Sequence, residues 1–396
     1  MTSIAILGFG VVGGGTATLI TKNEKELNEL IGGVKIKKIL DLRDFPDSEF
    51  SDKITHDFND ILNDSEISIV AEVMGGSHPA YEFTAALLKA KKSVVTSNKE
   101  VVASYGDELL EIARENGVSY RFEASVGGGI PLIAPIINSV RHNKIREVRG
   151  ILNGTTNYIL TKMFDYGESF DSALANAQRH GYAEKNPDAD ILGTDAARKI
   201  IILAALVTGK LVPLDEIHAE GITSIRDEDV KTAEKLGLSI KLVARCILTD
   251  DKPYIFVAPF MVGDTSPLSD VSGVYNAVEV IAEPLGNVMF YGRGAGSGAT
   301  ASAVVSDIVQ AALGRGLVPE FKKCNMIEDF QSFASRKYIA LDCDKNTISK
   351  ILGGLDFIDS EETAFITDVQ TEKESEALLS RIRESGVTVK SVIRLL

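Results

Sequence analysis

The hydrophobic positions of the first 130 residues predict strands that alternate with helices. The continuous apolar run Ile4-Ala5-Ile6-Leu7 is typical of a strand that is buried on both faces of a parallel sheet. A helix follows it directly. Further strands are predicted at 34–42, 67–73, 93–96 and 118–122, and further helices at 80–90 and 107–116. This alternation predicts an α/β fold with a doubly wound parallel sheet.

Beyond residue 130 the pattern changes to helices mixed with hairpins. Helices are predicted up to residue 140 and at 155–164, 169–179 and 194–207, and a strand at 145–152. Two pairs of strands flank short turns, 240–248 with 254–262 and 277–282 with 287–291. These hairpins indicate an antiparallel sheet and therefore a second, α+β domain.

The C-terminal part follows a polar stretch that ends near Ser335 and alternates again. Strands are predicted at 337–342, 363–369 and 387–395, and helices at 347–352 and 375–384. We therefore expect three domains, at 1–130, 131–298 and 335–396. A helix at about 299–320 is expected to pack back on the first of them.

Composition and charge narrow the possible classes of protein. The chain has 396 residues, 44% of them hydrophobic, and 42 basic against 56 acidic residues give a net charge of -14. This charge argues against a nucleic-acid partner. The three cysteines have no CxxC spacing, no apolar run reaches the ~18 residues that cross a bilayer, and the N-terminus does not resemble a signal peptide. We expect a cytoplasmic protein without a membrane partner.

The segment Gly8-Phe9-Gly10-Val11-Val12-Gly13 matches the GxGxxG pattern and lies between a predicted strand and a predicted helix. In that place the first glycine permits a tight turn, the second lets the backbone approach a pyrophosphate, and the third lets the helix pack on the strand. The positive end of the helix favours the phosphates. The segment predicts a dinucleotide site, and a glycine turn in an unrelated α/β domain is the alternative.

The end of the second predicted strand bears on the choice of coenzyme. Asp41 or Asp44 would suit the ribose hydroxyl of NAD, and Arg43 would suit the 2'-phosphate of NADP. All three could equally be solvated turn residues. The sequence leaves NAD and NADP open.

Lys199 and Asp195 lie four residues apart near the start of a predicted helix, after a loop rich in carboxylates at 181–190. The helix N-terminus and partial burial favour a neutral lysine, whereas Asp195 favours the charged form. Such a lysine could exchange a proton near neutral pH. The alternative is an ordinary ion pair between residues i and i+4.

Three further segments have positions that suit a ligand site. Lys99 follows the strand predicted at 93–96, at the end where open α/β sheets bind ligands, although it could be merely solvated. The glycine-rich segments 126–130 and 292–296 precede helices and could let backbone approach a ligand or an ion. The five histidines have no spacing typical of a transition-metal site.

Seven segments together resemble the homoserine dehydrogenase family, collinearly over about residues 1–320. They are GFGVVGGG, AEVMGGSHPA, SNKEVVA, FEASVGGGIP, GILNGTTNYIL, GYAEKNPDADILGTDAARK and YGRGAG. The resemblance implies NAD(P)-dependent interconversion of L-aspartate 4-semialdehyde and L-homoserine, on the route to threonine, isoleucine and methionine. It also implies a homodimer or homotetramer.

The same resemblance implies roles for individual residues. Lys199 would exchange the proton at the reacting oxygen, Asp195 and Glu184 would hold homoserine, Asp190 would help to shape that pocket, and Lys99 would lie between cofactor and substrate. The cofactor contacts implied are Gly8, Phe9, Gly10, Val11, Val12, Gly13, Arg43, Ser77, Lys99, Gly181, Gly292 and Gly296. A monovalent cation, usually sodium, would bind the backbone carbonyls of Glu123, Val126, Gly128 and Ile130.

Two segments depart from the pattern of the family. Arg293 stands in the late glycine turn where the family usually has proline. The C-terminal domain resembles the ligand-sensing βαββαβ module called ACT, but its second strand would have to fit near residues 357–359. L-threonine is therefore a candidate effector, and a purely oligomer-forming role is the alternative. Two other functions stay open, namely a dehydrogenase of another amino-acid aldehyde and a catalytically silent nucleotide-binding sensor.

Overall fold

The computed structural model of this protein describes residues 1–315, 319–353 and 355–396. The contacts between Cα atoms divide the chain into two compact units. The first unit comprises Met1–Arg146, Ile201–Glu216 and Val278–Asn325, and the second comprises Glu147–Ile200, Ile217–Ala277 and Met326–Leu396. The division into three domains stays a prediction, and residues 316–318 of its segment 299–320 and residue 354 of its C-terminal part lie outside the described residues.

The helices are numbered α1 to α14 along the chain. They are Val11–Lys22, Glu24–Ile31, Asn59–Leu62, Ala80–Lys89, Lys99–Glu115, Ile133–Pro135, Gly154–Tyr166, Phe170–Arg179, Asp188–Ile191, Thr194–Thr208, Asp227–Lys235, Ser297–Ala312, Lys345–Leu352 and Glu372–Glu384. Short 3-10 helices are found at Ser51–Lys53, Glu123–Ser125, Leu214–Glu216 and Phe330–Ser332, and a π-helical turn at Ile136–Val140. Within the described ranges, no helix is both long enough and apolar enough to span a bilayer.

The strands are numbered β1 to β19 in the same way. They are Thr2–Leu7, Val34–Leu40, Ile54–Thr55, Ile69–Glu72, Ser93–Thr96, Tyr120–Arg121, Lys144–Ile151, Lys210–Leu211, His218–Ala219, Leu238–Ile247, Tyr254–Gly263, Tyr275–Glu283, Gly286–Arg293, Lys322–Lys323, Ala334–Ser335, Lys337–Asp342, Thr363–Ile366, Gln370–Thr371 and Thr388–Leu395.

The first unit contains a six-stranded sheet in the order β3-β2-β1-β4-β5-β6. Every pair in it is parallel. The strand order reverses between β1 and β4, which is the Rossmann arrangement, and ligands of such sheets bind beyond the carboxyl ends of the strands at that reversal. The predicted doubly wound parallel sheet is thus confirmed.

Helix α12 packs against α1 on one face of this sheet. Ala303, Val304 and Ile308 belong to the same buried cluster as Ile4 and Ala17. The two helices approach closely at Gly15, where a Cβ atom would lie 2.5 Å from the Ser297 hydroxyl oxygen. A segment distant in sequence therefore completes the first unit.

The second unit is built on a mixed sheet in the order β7-β10-β11-β19-β16-β17. Strands β10 and β11 form the first predicted hairpin, with antiparallel register from Leu238↔Gly263 to Ile247↔Tyr254. Strand β19 joins the other edge of β11 in parallel, with Phe260 opposite Arg394, and short strand β9 pairs with β11 at Phe256 and Val257. The second predicted hairpin is β12 with β13.

The C-terminal segment has the element order β16-α13-β17-β18-α14-β19, with β16 antiparallel to both β17 and β19. The strand expected near residues 357–359 is reduced to one isolated bridge between Phe357 and Phe365. Strand β19 pairs with β11, so this segment continues the sheet of the second unit.

The structure corrects several predicted elements. The polar stretch before Ser335 contains β14, a 3-10 helix and β15, each of which is very short. The single helix expected up to residue 140 is α6 followed by the π-helical turn. Helices α2, α3, α9 and α11 were not predicted: α3 and α9 have only four residues each, and α2 and α11 are amphipathic but mostly polar.

Candidate active site

The glycine-rich turn of the first unit connects β1 to α1. Gly8 has φ +94°, and its amide donates to the Leu40 carbonyl at 2.8 Å. Gly10 precedes the first residue of α1, Val11, which is 72% exposed. Val12 packs against the buried cluster behind the turn. The turn therefore presents backbone and the positive end of α1 at the carboxyl end of the sheet.

Gly13 is required by the close packing of α1 on this turn. A Cβ atom at this position would lie 1.9 Å from the Gly8 carbonyl oxygen, which is far inside van der Waals contact. Gly14, one residue later, has nothing within 4 Å of a Cβ atom. Glycine is therefore required at position 13, whereas position 14 has room for a side chain.

Asp41 follows β2 and fixes the position of Phe9. Its Oδ2 accepts from the Phe9 amide at 2.7 Å, and Arg43 donates to both of its oxygens at 3.0 Å. The hydrogen bonds from Arg43 lower the pKa of Asp41 to about 2. The side chain of Arg43 is 63% exposed. An anionic carboxylate and an accessible guanidinium therefore lie side by side where a dinucleotide ribose is expected.

Glu72, at the end of β4, is a buried residue that the sequence reasoning did not identify. Its oxygens accept from the Thr96 hydroxyl at 2.6 Å, the Met74 amide at 2.9 Å and the Asn98 side chain at 3.5 Å. Burial raises its pKa to about 7. Asn98 caps α5 through the Val101 amide, so Glu72 connects the ends of β4 and β5 with the start of α5.

Lys99 and Ser77 lie on this same edge of the first unit. Lys99 is the first residue of α5, rather than part of a loop, and its amide donates to the Ser97 carbonyl at 3.1 Å. Ser77 precedes α4, and its carbonyl accepts from the Tyr81 amide at 2.9 Å. Both predicted residues are half-buried.

The two glycine segments of the first unit lie against each other. A Cβ atom on Gly128, which has φ +59°, would lie 2.5 Å from the Gly294 carbonyl oxygen. The Gly129 amide donates to the Arg293 carbonyl at 3.3 Å. The bond involves only the backbone carbonyl of Arg293, which proline at this position would also have. The Arg293 side chain is exposed. A Cβ atom on Gly292 would lie 3.0 Å from Ile130 Cγ1. Gly296 lies just before α12.

The side chain of Glu123 binds the backbone that follows the segment containing Gly128. Its oxygens accept from the amides of Leu132, Ile133 and Ala134 at 2.6, 2.7 and 2.7 Å. Outside the helices and strands, no backbone amide of the described residues donates to the carbonyl oxygens of residues 123, 126, 128 and 130. Glu123, Val126 and Ile130 are at most 6% exposed, and Gly128 is also buried.

Lys199 is a buried cation of the second unit. It lies on α10, is 8% exposed, and donates from Nζ to Asp195 Oδ2 at 2.6 Å and to the Leu152 carbonyl at 2.7 Å. Asp195 is 5% exposed. The predicted pair between residues i and i+4 is therefore present, and burial together with the third partner distinguishes it from a solvated surface ion pair.

Asn153 connects this pair to Asp190. Its Nδ2 donates to Asp190 Oδ1 at 2.6 Å and to Asp195 Oδ2 at 2.8 Å, while its Oδ1 caps α7 by accepting from the Thr156 amide at 2.8 Å. Burial, together with the charge of Asp195, raises the pKa of Asp190. One asparagine thus sets the spacing of two carboxylates.

The remaining predicted residues of the second unit lie on the segment between α8 and α9. Gly181 follows α8 with φ +73°. Glu184 is exposed, and only its carbonyl is bonded, by the Gln178 side chain at 3.2 Å, within the described ranges. The structure therefore brings Asp190, Asp195 and Lys199 together and does not bring the Glu184 carboxylate into hydrogen-bond contact with them.

Sequence reasoning missed Asn153 and Glu72 for different reasons. Asn153 had a visible local signal, because asparagine before Gly-Thr-Thr at the end of a strand is typical of a helix cap. Its second role depends on Asp190 and Asp195, which lie 37 and 42 residues away. Glu72 had no local signal beyond its position at the end of an apolar strand.

Two family descriptions match adjoining parts of the chain. Residues 8–123 match "Homoserine dehydrogenase, NAD binding domain", and residues 131–309 match "Homoserine dehydrogenase". Among curated relatives, homoserine dehydrogenase of Synechocystis sp. is 43% identical over 313 residues, which are 77% of this chain and 72% of that protein. The enzyme of Corynebacterium glutamicum is 36% identical over 398 residues, covering 97% of this chain and 89% of its own.

Solved structures agree with this assignment. A homoserine dehydrogenase from Thiobacillus denitrificans superimposes with a TM-score of 0.92 at 32% identity, covering 100% of this chain and 98% of that chain. A hyperthermophilic archaeal homoserine dehydrogenase in complex with NADPH has a TM-score of 0.69 at 29% identity and covers 80% of this chain and 99% of its own. This chain therefore belongs to the homoserine dehydrogenase family, and it is an NAD(P)-dependent oxidoreductase that interconverts L-homoserine and L-aspartate 4-semialdehyde.

Proposed function

We propose that Lys199 exchanges the proton with the reacting oxygen of the substrate. The bound nicotinamide supplies or accepts the hydride, and reduction of an aldehyde develops negative charge on its oxygen. An ammonium group carries three N–H bonds. Among the described residues, two of those on Lys199 meet Asp195 and the Leu152 carbonyl, and the third N–H is proposed to meet that oxygen. This fixed, buried donor is the observation that carries the proposal.

Homoserine is proposed to bind through the carboxylates around Lys199. Asp195 orients Lys199 and, with Glu184, contacts the substrate ammonium. Asp190, which accepts a hydrogen bond from Asn153, forms part of the wall of the pocket. Glu184 is exposed, so its part requires a substrate within reach of the segment between α8 and α9. Lys99 is proposed to contribute to both substrate and cofactor binding.

The first unit is proposed to hold the dinucleotide. Its contacts would be Gly8, Phe9, Gly10, Val11, Val12, Gly13, Arg43, Ser77, Lys99, Gly292 and Gly296, with Gly181 from the second unit. Asp41 suits the ribose hydroxyl of NAD, and Arg43 suits the 2'-phosphate of NADP. The archaeal relative was solved in complex with NADPH. Both coenzymes remain candidates.

A monovalent cation, sodium in our proposal, fits the carbonyls of Glu123, Val126, Gly128 and Ile130. These four carbonyl oxygens accept from no described backbone amide outside the helices and strands, which suits a hard cation, whereas burial without any partner would be costly. The Glu123 carboxylate already accepts hydrogen bonds from three backbone amides, so the ion would be held by backbone carbonyl oxygens. Its role would be to fix the segment that approaches Gly294.

The C-terminal segment is proposed to be an ACT-like domain at residues 335–396, beside a Rossmann domain at 1–130 and a substrate and dimerisation domain at 131–298. The order β16-α13-β17-β18-α14-β19 supports the βαββαβ assignment, with the bridge at Phe357 in place of the second strand. Strand β18 has two residues and pairs with β15. L-threonine is the proposed effector, and a homodimer or homotetramer in the cytoplasm is the proposed state.

The proposal is tested by following the absorbance of the reduced nicotinamide with L-homoserine, supplying NAD and NADP separately, with and without L-threonine. Lys199→Met removes the charge but keeps the length of the side chain, so we expect turnover to fall about a thousandfold or more while dinucleotide binding is unchanged. Lys231→Met, at an exposed position on α11, is the control and should behave as wild type. Near-normal turnover of Lys199→Met would remove this lysine from proton exchange.

A further inference from the structure

Arg394 is a buried arginine on β19 that joins two carboxylates from different parts of the second unit. It is 6% exposed. Its Nε and Nη2 donate to the two oxygens of Glu372, the first residue of α14, at 2.9 and 2.8 Å. Its Nη1 donates to Glu220 Oε2 at 2.6 Å. A planar guanidinium bonded on both sides holds its partners in a fixed relative position.

Glu220 lies directly after β9, and the local backbone is fixed as well. The Glu220 amide donates to the Val257 carbonyl at 2.9 Å, next to the pairing of β9 with β11. Burial would raise the pKa of Glu220, but His218 and Arg394 outweigh it and lower the pKa. The carboxylate is therefore anionic near neutral pH and bound to Arg394.

The residues after Glu220 lie backbone to backbone against the end of α9. The Ile222 amide donates to the Ile191 carbonyl at 2.9 Å. A Cβ atom on Gly221 would lie 1.9 Å from the same carbonyl oxygen and 2.5 Å from the Leu192 Cα atom. With no side chain between them, a displacement of residue 221 must displace Ile191.

Ile191 follows Asp190 in the chain, and Asp190 is one of the carboxylates around Lys199. Both residues belong to α9, where Asp190 accepts from Asn153 at 2.6 Å, and Asn153 also donates to Asp195. The contacts thus run without interruption from Arg394 through Glu220, the segment 221–222 and α9 to Asp190.

We propose that Arg394 is a positioning residue for the homoserine pocket, which it holds in place by anchoring Glu220 and, through residues 221–222, α9 with Asp190. This inference rests on the proposed binding of homoserine at Asp190 and Asp195. Because the other side of Arg394 holds the start of α14, the same guanidinium also links the position of that helix to the pocket.

The test compares steady-state kinetics of Arg394→Gln and Glu220→Gln with wild type in the full-length enzyme. Each variant removes the link from one end, so we expect the KM for homoserine to rise about tenfold, with the coenzyme KM unchanged and kcat altered much less. The double variant should be no worse than Arg394→Gln alone, because the bond to Glu220 is already lost in that variant. Amide hydrogen exchange at residues 188–193 should accelerate.

Lys390→Gln is the matched control. Lys390 lies on the same strand and forms ion pairs with Glu362 and Asp342, both within the C-terminal segment, so it should leave the KM for homoserine unchanged. Glu220→Gln carries the test by itself if Arg394→Gln fails to fold. An unchanged KM for homoserine, equal rises for both substrates, or the same effect from Lys390→Gln overturns the inference.

Asp190→Asn in the same assay separates this inference from the proposed function. If Asp190→Asn raises the KM for homoserine and the two link variants do not, only the role of Arg394 is overturned. If Asp190→Asn has no effect, the proposed part of Asp190 in the homoserine pocket is wrong, and the role of Arg394 is overturned with it.

Discussion

Glu72 is a carboxyl group with no exposed surface whose protonation is coupled to folding. Its pKa of about 7 in the folded protein lies above the ordinary value of 4.5. Between these two values the folded chain binds the proton more tightly than the unfolded chain. The carboxyl therefore lowers the free energy of unfolding as pH rises from about 4.5 to about 7, and above that its cost stays constant at about 3 kcal/mol.

We expect Glu72→Gln to be more stable than wild type at about pH 8, by about 1–3 kcal/mol, because the amide has no proton to lose. The difference should shrink to below about 1 kcal/mol at about pH 5. Chemical denaturation at the two pH values measures it. Glu111→Gln, at an exposed position on α5, should show no such dependence, and a variant less stable than wild type at the higher pH would contradict the explanation.

The residues around Lys199 show how far local spacing predicts a site. The pair Asp195 and Lys199 follows from the helix period, which places residues i and i+4 on one face. Burial of the lysine and its bond to Leu152 depend on a strand that lies 47 residues away in the sequence. Glu184 shows the converse, because a carboxylate that is near in sequence is exposed in the structure.

At the scale of elements, the contact between β1 and α1 depends on one glycine. We expect Gly13→Ala to lose dinucleotide binding and about 2 kcal/mol or more of stability, since its methyl group would overlap the Gly8 carbonyl. Gly14→Ala, in the same helix with open space around it, should be neutral or more stable by up to about 1 kcal/mol. Titration with coenzyme and thermal unfolding of both variants test this contrast.

Equal effects of the two substitutions would show that helix propensity, and not contact with the strand, determines the result. The pair is informative because both glycines lie in the same helix, one residue apart.

Strands with strong apolar runs were predicted well, whereas short or polar elements were not. Strand β16 matches its predicted bounds, and β10 and β11 agree within about two residues at their ends. Strands β14 and β15 are two residues long and exist only by pairing with β8 and β18. Partners so distant in sequence leave no periodic signal in the segment itself.

At the scale of the whole molecule, the C-terminal segment completes the core of the second unit. Phe333 belongs to one buried cluster with Phe256 and Phe260, and Phe330 and Leu396 pack against it. The Arg245 guanidinium lies 5.5 Å from the Phe333 ring centroid. The C-terminal segment also has a buried cluster of its own, which includes Ile339, Phe365 and Leu379. It contacts the cluster of Phe256 and Phe260 through Leu396, and Phe330 and Phe333 lie just before it.

We expect the chain ending at residue 325 to aggregate, because the edge of β11 opposite β10 and the apolar surface of Phe256 and Phe260 would be exposed. Size-exclusion chromatography with light scattering measures the outcome, with the full-length protein as the reference. A monodisperse truncated protein that melts at the same temperature as the full-length chain would contradict a shared core.

The pairing of β19 with β11 also has a consequence during synthesis on the ribosome. Strand β11 ends at Gly263, and β19 begins at Thr388, so about 125 residues must be translated before its partner is available. At about 5–20 residues per second, the nascent chain carries this unpaired edge for roughly 6–25 s. Protection of the emerging polypeptide by chaperones therefore matters most after the hairpin of β10 and β11 has left the exit tunnel.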